Sequence, residues 1–114
     1  MNVYDLAHKL ARSLSESPEY LEYKKVKEKV KQDPQAKQML TDLRSKQLEI
    51  QMLKLSGKPI DENTKNIEKL YSIISNHSLL KEYLEAEERF SVLFSDIQNI
   101  IIKGVDLDID LEEK

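Results

Sequence analysis

Residues 79–103 read LLKEYLEAEERFSVLFSDIQNIIIK. Leu79, Tyr83, Ala86, Phe90, Leu93, Ile97 and Ile100 recur at alternating steps of four and three. On a helix of 3.6 residues per turn those steps hold the side chains along one line, so the stretch predicts a long helix with a coiled-coil-like seam. Leu80, Phe94 and Ile101 widen the seam on one side. Glu87 falls inside this widened stripe, where an apolar side chain is expected. A half-buried glutamate is more often tied to Arg, Lys or Tyr than used in catalysis.

Upstream of this segment the chain is punctuated by helix starts and stops. Val3, Leu6, Ala7, Leu10, Ala11 and Leu14 place one apolar face on a first helix, about Val3 to Ser15, with Asn2 as its N-cap. Ser17-Pro18 and Asp33-Pro34 are two further start signals. In each, the polar side chain caps and proline takes the first helical position, where its missing N–H has no partner anyway. They open a second helix, about Pro18 to Lys31, and a third, about Pro34 to Ser56. The second has only a narrow apolar stripe: Tyr20 or Leu21, Tyr23, Val26 and Val30. Gly57 and Pro59 stop the third. A fourth helix, about Asp61 to Asn76, carries Ile67, Leu70, Tyr71 and Ile74 on one face. Asn76-His77-Ser78 breaks the chain, with Ser78 placed to cap the fifth helix, and Gly104 ends that helix. The fold class is therefore all-α, about five helices. The third and fifth are expected as long antiparallel arms with the shorter helices packed on them. A single domain covers residues 1–104, and residues 105–114 form an acidic tail expected to be frayed.

Composition narrows the function classes. The chain has 114 residues, 39% hydrophobic and 34% charged, with two glycines and three prolines. One domain fits that length, and a sheet protein would need more turn residues. No cysteine is present, which excludes thiolate nucleophiles, disulfides and cysteine-ligated metal centres in this chain. The opening residues lead into no long apolar run, so no signal peptide is expected. No run of about 18 apolar residues exists to cross a membrane. The net charge of −3 argues against nucleic acid as the main partner.

Each cluster of reactive side chains has a plainer explanation beside it. Lys24, Lys25, Lys27, Lys29 and Lys31 could form a basic patch for phosphate groups. A solvated face of a thin helix explains them more simply, because nucleic-acid sites usually add Arg and stacking aromatics. The tail, Asp106-Leu107-Asp108-Ile109-Asp110-Leu111, resembles the opening of a calcium loop but has Leu111 where the turn glycine belongs. Asp5 and His8 share one helix face, yet a di-iron bundle wants paired Glu-x-x-His segments. Glu82, Glu85, Glu87 and Glu88 would do acid–base work only if one were desolvated. No nucleophile, base and stabiliser can be assembled, so no catalytic, cofactor or metal residues are assigned and the chain reads as a non-enzyme. Gln47, lying between Leu43 and Ile50, is the third helix's counterpart of Glu87; such polar residues can fix helix register.

The opening Val3-Tyr4-Asp5-Leu6-Ala7, the Ser17-Pro18-Glu19-Tyr20 corner and Leu43-Arg44…Gln47-Leu48 resemble the YheA/YmcA/YlbF family of small bacterial helical proteins. Glu85-Ala86-Glu87-Glu88-Arg89-Phe90, with Ile97…Ile100-Ile101 after it, strengthens the likeness, which is closest to the YheA branch and covers nearly the whole chain. The resemblance implies a cytoplasmic all-α protein of Gram-positive-type bacteria that forms homodimers or larger complexes. Other branches act as accessory factors in competence, sporulation and biofilm control, linked to RNA processing. Some use cysteines to hold iron–sulfur clusters, a cofactor that does not carry over to a chain without cysteine.

Two functional readings follow. The first is a self-associating interaction protein. On the third helix Leu40, Leu43, Gln47 and Ile50 form a seam expected to face the fifth helix, while Leu48, Met52 and Leu55 form a second stripe expected in a homodimer interface. The second reading is a nucleic-acid-associated factor using the lysine-rich helix.

Overall fold

A computed structural model describes residues 2–106. These residues form five helices: α1 (Val3–Ser15), α2 (Pro18–Lys31), α3 (Pro34–Leu55), α4 (Asp61–Ser75) and α5 (Ser78–Gly104). The boundaries lie within one residue of those expected, because the local signals that set them operate as read. The Asn2 side chain accepts from the Asp5 N–H at 2.8 Å, Ser17 Oγ from Tyr20 at 3.2 Å, and Asp33 from Ala36 at 3.1 Å. Beyond α3, Gly57 takes a left-handed φ of +72°. The Gly57 N–H then reaches the Lys54 carbonyl and the Lys58 N–H reaches that of Leu53, the paired bonds of a Schellman stop.

Two caps differ from expectation. His77, not Ser78, precedes α5: it is extended, and its Nδ1 accepts from the Leu80 N–H at 3.4 Å, while Ser78 is the first helical residue. At the other end Gly104 remains helical, and Asp106 adopts the left-handed conformation, φ +54°. Aspartate tolerates that conformation better than most side chains. The tail residues 107–114 lie outside the described part.

The two longest helices are spines with shorter helices packed on them. α2 runs antiparallel along α5, the most extensive contact in the molecule: Tyr20 meets Phe90 with ring centroids 5.3 Å apart, and Tyr23 meets Tyr83 at 5.6 Å. α4 folds back along α3. The two spines touch each other only over a short crossing. The α3 seam is accordingly divided. Leu43 is fully buried in the central cluster, but Gln47 bonds Tyr71 of α4 and not α5, because the Gly57 turn brings α4 alongside.

Val26, Val30, Ala36, Leu43, Ile74, Leu80 and Tyr83 form one core where α2, α3, α4 and α5 meet. α1 contributes no buried residue and packs on α2 alone. From this core two arms diverge, α2/α5 with α1 at its end, and α3/α4. The molecule measures 49 × 40 × 17 Å. Its radius of gyration is 18.4 Å, against about 13 Å for a compact chain of this length.

Candidate interaction surface

At the crossing of the arms, a chain of polar contacts ties three helices together. Arg44 on α3 places Nη2 at 2.5 and 2.6 Å from the two carboxylate oxygens of Glu87 on α5. Its Nη1 donates to Gln47 Oε1 at 3.0 Å, and Gln47 Nε2 donates to Tyr71 Oη on α4 at 2.7 Å. Tyr83, one turn before Glu87, lies 3.4 Å hydroxyl to hydroxyl from Tyr23 on α2. Burial works against the charge on Arg44. The hydrogen bond and charge of Glu87, with help from Tyr83, outweigh it and hold the guanidinium above its ordinary range. Burial pushes the Tyr83 phenol well above its usual value, reinforced by the Tyr23 hydrogen bond and the Glu87 charge and only partly countered by Arg44. The two polar core positions flagged in the sequence, Gln47 and Glu87, thus belong to one network joined by Arg44. The partners satisfy one another, and Tyr71 also lines an open cleft between α4 and α5. The network is an internal fastener.

Apolar surface dominates the exterior instead. On the α3/α4 arm, Leu48, Met52 and Leu55 are 56%, 60% and 82% exposed. Leu48 and Met52, with Leu53, line a shallow groove of about 460 Å³ edged by Ser45, Glu49, Ser56 and Lys58. On the other arm, Val3, Tyr4 and Leu6 of α1 and Phe94, Ile100 and Ile101 of α5 are also exposed. A wider open cleft of about 740 Å³ lies between α4 and α5 in the angle of the arms, floored by Ile74 and Leu84. Monomeric proteins rarely leave stripes of this kind bare.

The lysines of α2 do not make one patch. Helical geometry sets Lys24, Lys27 and Lys31 along one line and Lys25 and Lys29 along another, on either side of the buried Val26 and Val30. All are exposed; Lys31 lies 3.7 Å from Glu28, and Lys27 sits over the Tyr23 ring at 5.6 Å. Among the described residues no group of three or more His, Cys, Asp or Glu side chains is placed to hold a metal ion. No described helix is long and apolar enough to cross a membrane.

Residues 3–106 match the family described as "Control of competence regulator ComK, YlbF/YmcA". The chain belongs to that family. Within this bacterial family it is 42% identical to a UPF0342 protein of Halothermothrix orenii, over 100% of this chain and 98% of the relative. It is 40% identical to UPF0342 protein STH1710 of Symbiobacterium thermophilum, over 94% and 96%. The solved structure of a DUF964 protein from Bacillus stearothermophilus superposes with a TM-score of 0.82 at 21% identity, over 91% of this chain and 92% of that one, a likeness of fold. That of yheA from Bacillus subtilis gives 0.69 at 26% identity, over 93% and 97%. The resemblance read from the sequence motifs therefore holds.

In this YlbF/YmcA-family chain the exposed apolar surface is dispersed over several helices, and sequence patterning found only part of it. The α3 stripe was legible from its spacing. The bareness of α1 was not, because an apolar face says that a helix is covered and not by what. Arg44 was missed as the partner of Glu87: the two are 43 residues apart, and no local period links them.

Proposed function

We propose that this protein is a non-enzymatic, self-associating helical adaptor, built as one domain over residues 1–104 with a short acidic tail at 105–114. It works in the bacterial cytoplasm as an accessory factor in regulatory complexes. The observation that carries this reading is the large accessible surface of the lone chain, with apolar side chains such as Leu48, Met52 and Leu55 exposed on it. Its accessible area is 8905 Å², whereas a compact monomer of 13.3 kDa exposes about 6,500 Å². The residues outside 2–106 could supply at most about 1,500 Å² of that, and an excess of roughly 1,000 Å² or more remains. Standard interfaces bury about 800 Å² on each partner. Leu48, Met52 and Leu55 form the proposed homodimer contact. The family's description supports a regulatory role exercised through protein partners.

The test is light scattering on the purified protein and on Met52→Glu with Leu55→Glu. All three stripe residues are exposed in the single chain, so the double variant is expected to remain helical and to fall from dimer to monomer. A variant that stays dimeric removes this stripe from the interface. The second reading, a nucleic-acid-associated factor, rests on the exposed α2 lysines; it requires RNA or DNA binding at low salt that weakens steeply as salt rises.

A further inference from the structure

We infer that the cleft between α4 and α5 is a docking groove for an amphipathic helix of a partner protein. That helix lays an apolar ridge on the floor of the cleft and carries Lys or Arg toward its open end. This rests on the adaptor reading above and gives the partner a place separate from the α3 stripe.

The walls come first. Glu68, Tyr71, Ser72 and Ser75 follow one another at steps of three, one and three, and so share one face of α4. Lys81, Leu84, Glu85 and Glu88 repeat that spacing on α5. Two helix faces thus look across about 740 Å³ of open space, over a floor of Ile74 and Leu84. From Glu68 to Ser75, and from Lys81 to Glu88, each wall is about 10 Å long at ~1.5 Å per residue, which is two turns of helix. A trough of that length between two helices takes the side of a third.

What distinguishes this cleft from the bare apolar faces of α1 and distal α5 is the order of charge along its edges. Lys81 stands at the closed end, by the turn that joins α4 to α5. Toward the open end stand Glu68, Glu85 and Glu88, against a single base, Arg89. All of these side chains are exposed. None forms an ion pair with another described residue. Lys69, the next base on α4, lines the groove on the α3 side instead. The open end therefore carries a surplus of negative charge.

That surplus chooses the occupant. An apolar floor edged by unpaired acids attracts a basic helix and repels an acidic one. The chain's own acidic residues 105–114 are turned away on the same ground. A second copy related by a two-fold axis through the cleft sets hollow against hollow and fills neither. A helix from a different protein fills the trough and answers the glutamates.

The probe is a fluorescein-labelled amphipathic peptide of Leu, Ala and Lys, about four turns long, with a version carrying Glu for Lys beside it. Fluorescence anisotropy on the full chain is expected to show saturable binding of the Lys peptide, at least about tenfold tighter than the Glu peptide. Glu85→Lys with Glu88→Lys is expected to weaken it about tenfold or more. Ser72→Trp, whose ring occupies the cleft, is expected to do the same with no change of charge. Glu16→Lys with Glu28→Lys makes the same change of net charge outside the lining and is expected to leave binding within about twofold. All the substituted positions are exposed, so circular dichroism should show native helicity in each variant. No saturable binding, equal binding of the two peptides, or binding that ignores both cleft variants overturns the groove and leaves the dimer reading standing. By light scattering the Ser72→Trp protein is expected to keep the native mass; a fall to monomer overturns the partner helix in favour of a second copy. A native monomer that binds the Lys peptide through the cleft keeps the groove and overturns the dimer.

Discussion

Arg44 and Glu87 are each partly exposed, with side-chain accessibilities of 41% and 32%. Water therefore screens the pair, and its isolated worth is modest. Arg44 also orients Gln47, which holds Tyr71, so truncation loosens three helices at one point. Glu87→Ala is expected to destabilise the fold by about 1 kcal/mol. A double-mutant cycle with Arg44→Met should return a coupling of the same order; chemical denaturation measures both, and strict additivity would show that the contact contributes nothing. Tyr83 makes a prediction about pH. Its folded phenol holds its proton above the ordinary value of 10, so the folded state keeps a proton that the unfolded chain releases. Its contribution is complete below pH 10 and is lost as pH rises through and beyond that value. Denaturation midpoints should be flat from neutral to about pH 9 and then fall, with a shallower fall in Tyr83→Phe. At this scale the sequence was half legible. A Glu and a Gln interrupting apolar stripes marked two half-buried, hydrogen-bonded positions, but pairing across helices has no signature in a linear pattern.

Helix boundaries were the most legible part of the molecule, since each depends on atoms within five residues of one another. Asp33 caps α3 through the Ala36 N–H, and Ala36 is itself fully buried. Asp33→Ala is expected to cost about 1 kcal/mol of stability by denaturation, while Asp33→Ser should recover most of it. The α2 lysines test a different point. Lys24, Lys25 and Lys27 changed together to Gln should leave helicity and melting temperature nearly unchanged, because Gln and Lys have similar helix propensities and the positions are solvated. RNA binding lost with these three charges would favour the nucleic-acid reading; no RNA binding by the native chain at low salt would dispose of it. What periodicity could not supply was the pairing of elements. The seam of α5 was correctly apolar, but its chief cover is α2, whose thin stripe of Tyr20, Tyr23, Val26 and Val30 looked too slight for the task. Aromatic rings stacked on Phe90 and Tyr83 make up the difference: the Tyr23 and Phe90 planes lie 6° from parallel.

At the scale of the molecule the decisive quantity is shape. A 13.3 kDa chain drawn out to 49 × 40 Å and only 17 Å thick keeps its core at one crossing and leaves most of its helical length covered on one side. Hydrophobic burial at about 25 cal/mol per Å² favours any arrangement that closes such faces, and a second copy of the same slab is the nearest source of a matching surface. Composition suited thin helical layers with much wetted surface, but the arms and the angle between them emerge only in three dimensions. The central claim is that the folded unit in solution is the dimer. Static light scattering on the unmodified protein, across a dilution series through the micromolar range, tests it most directly. The account predicts a mass of twice 13.3 kDa that persists until dilution separates the copies. A mass of 13.3 kDa at every concentration, with helicity unchanged, would contradict it.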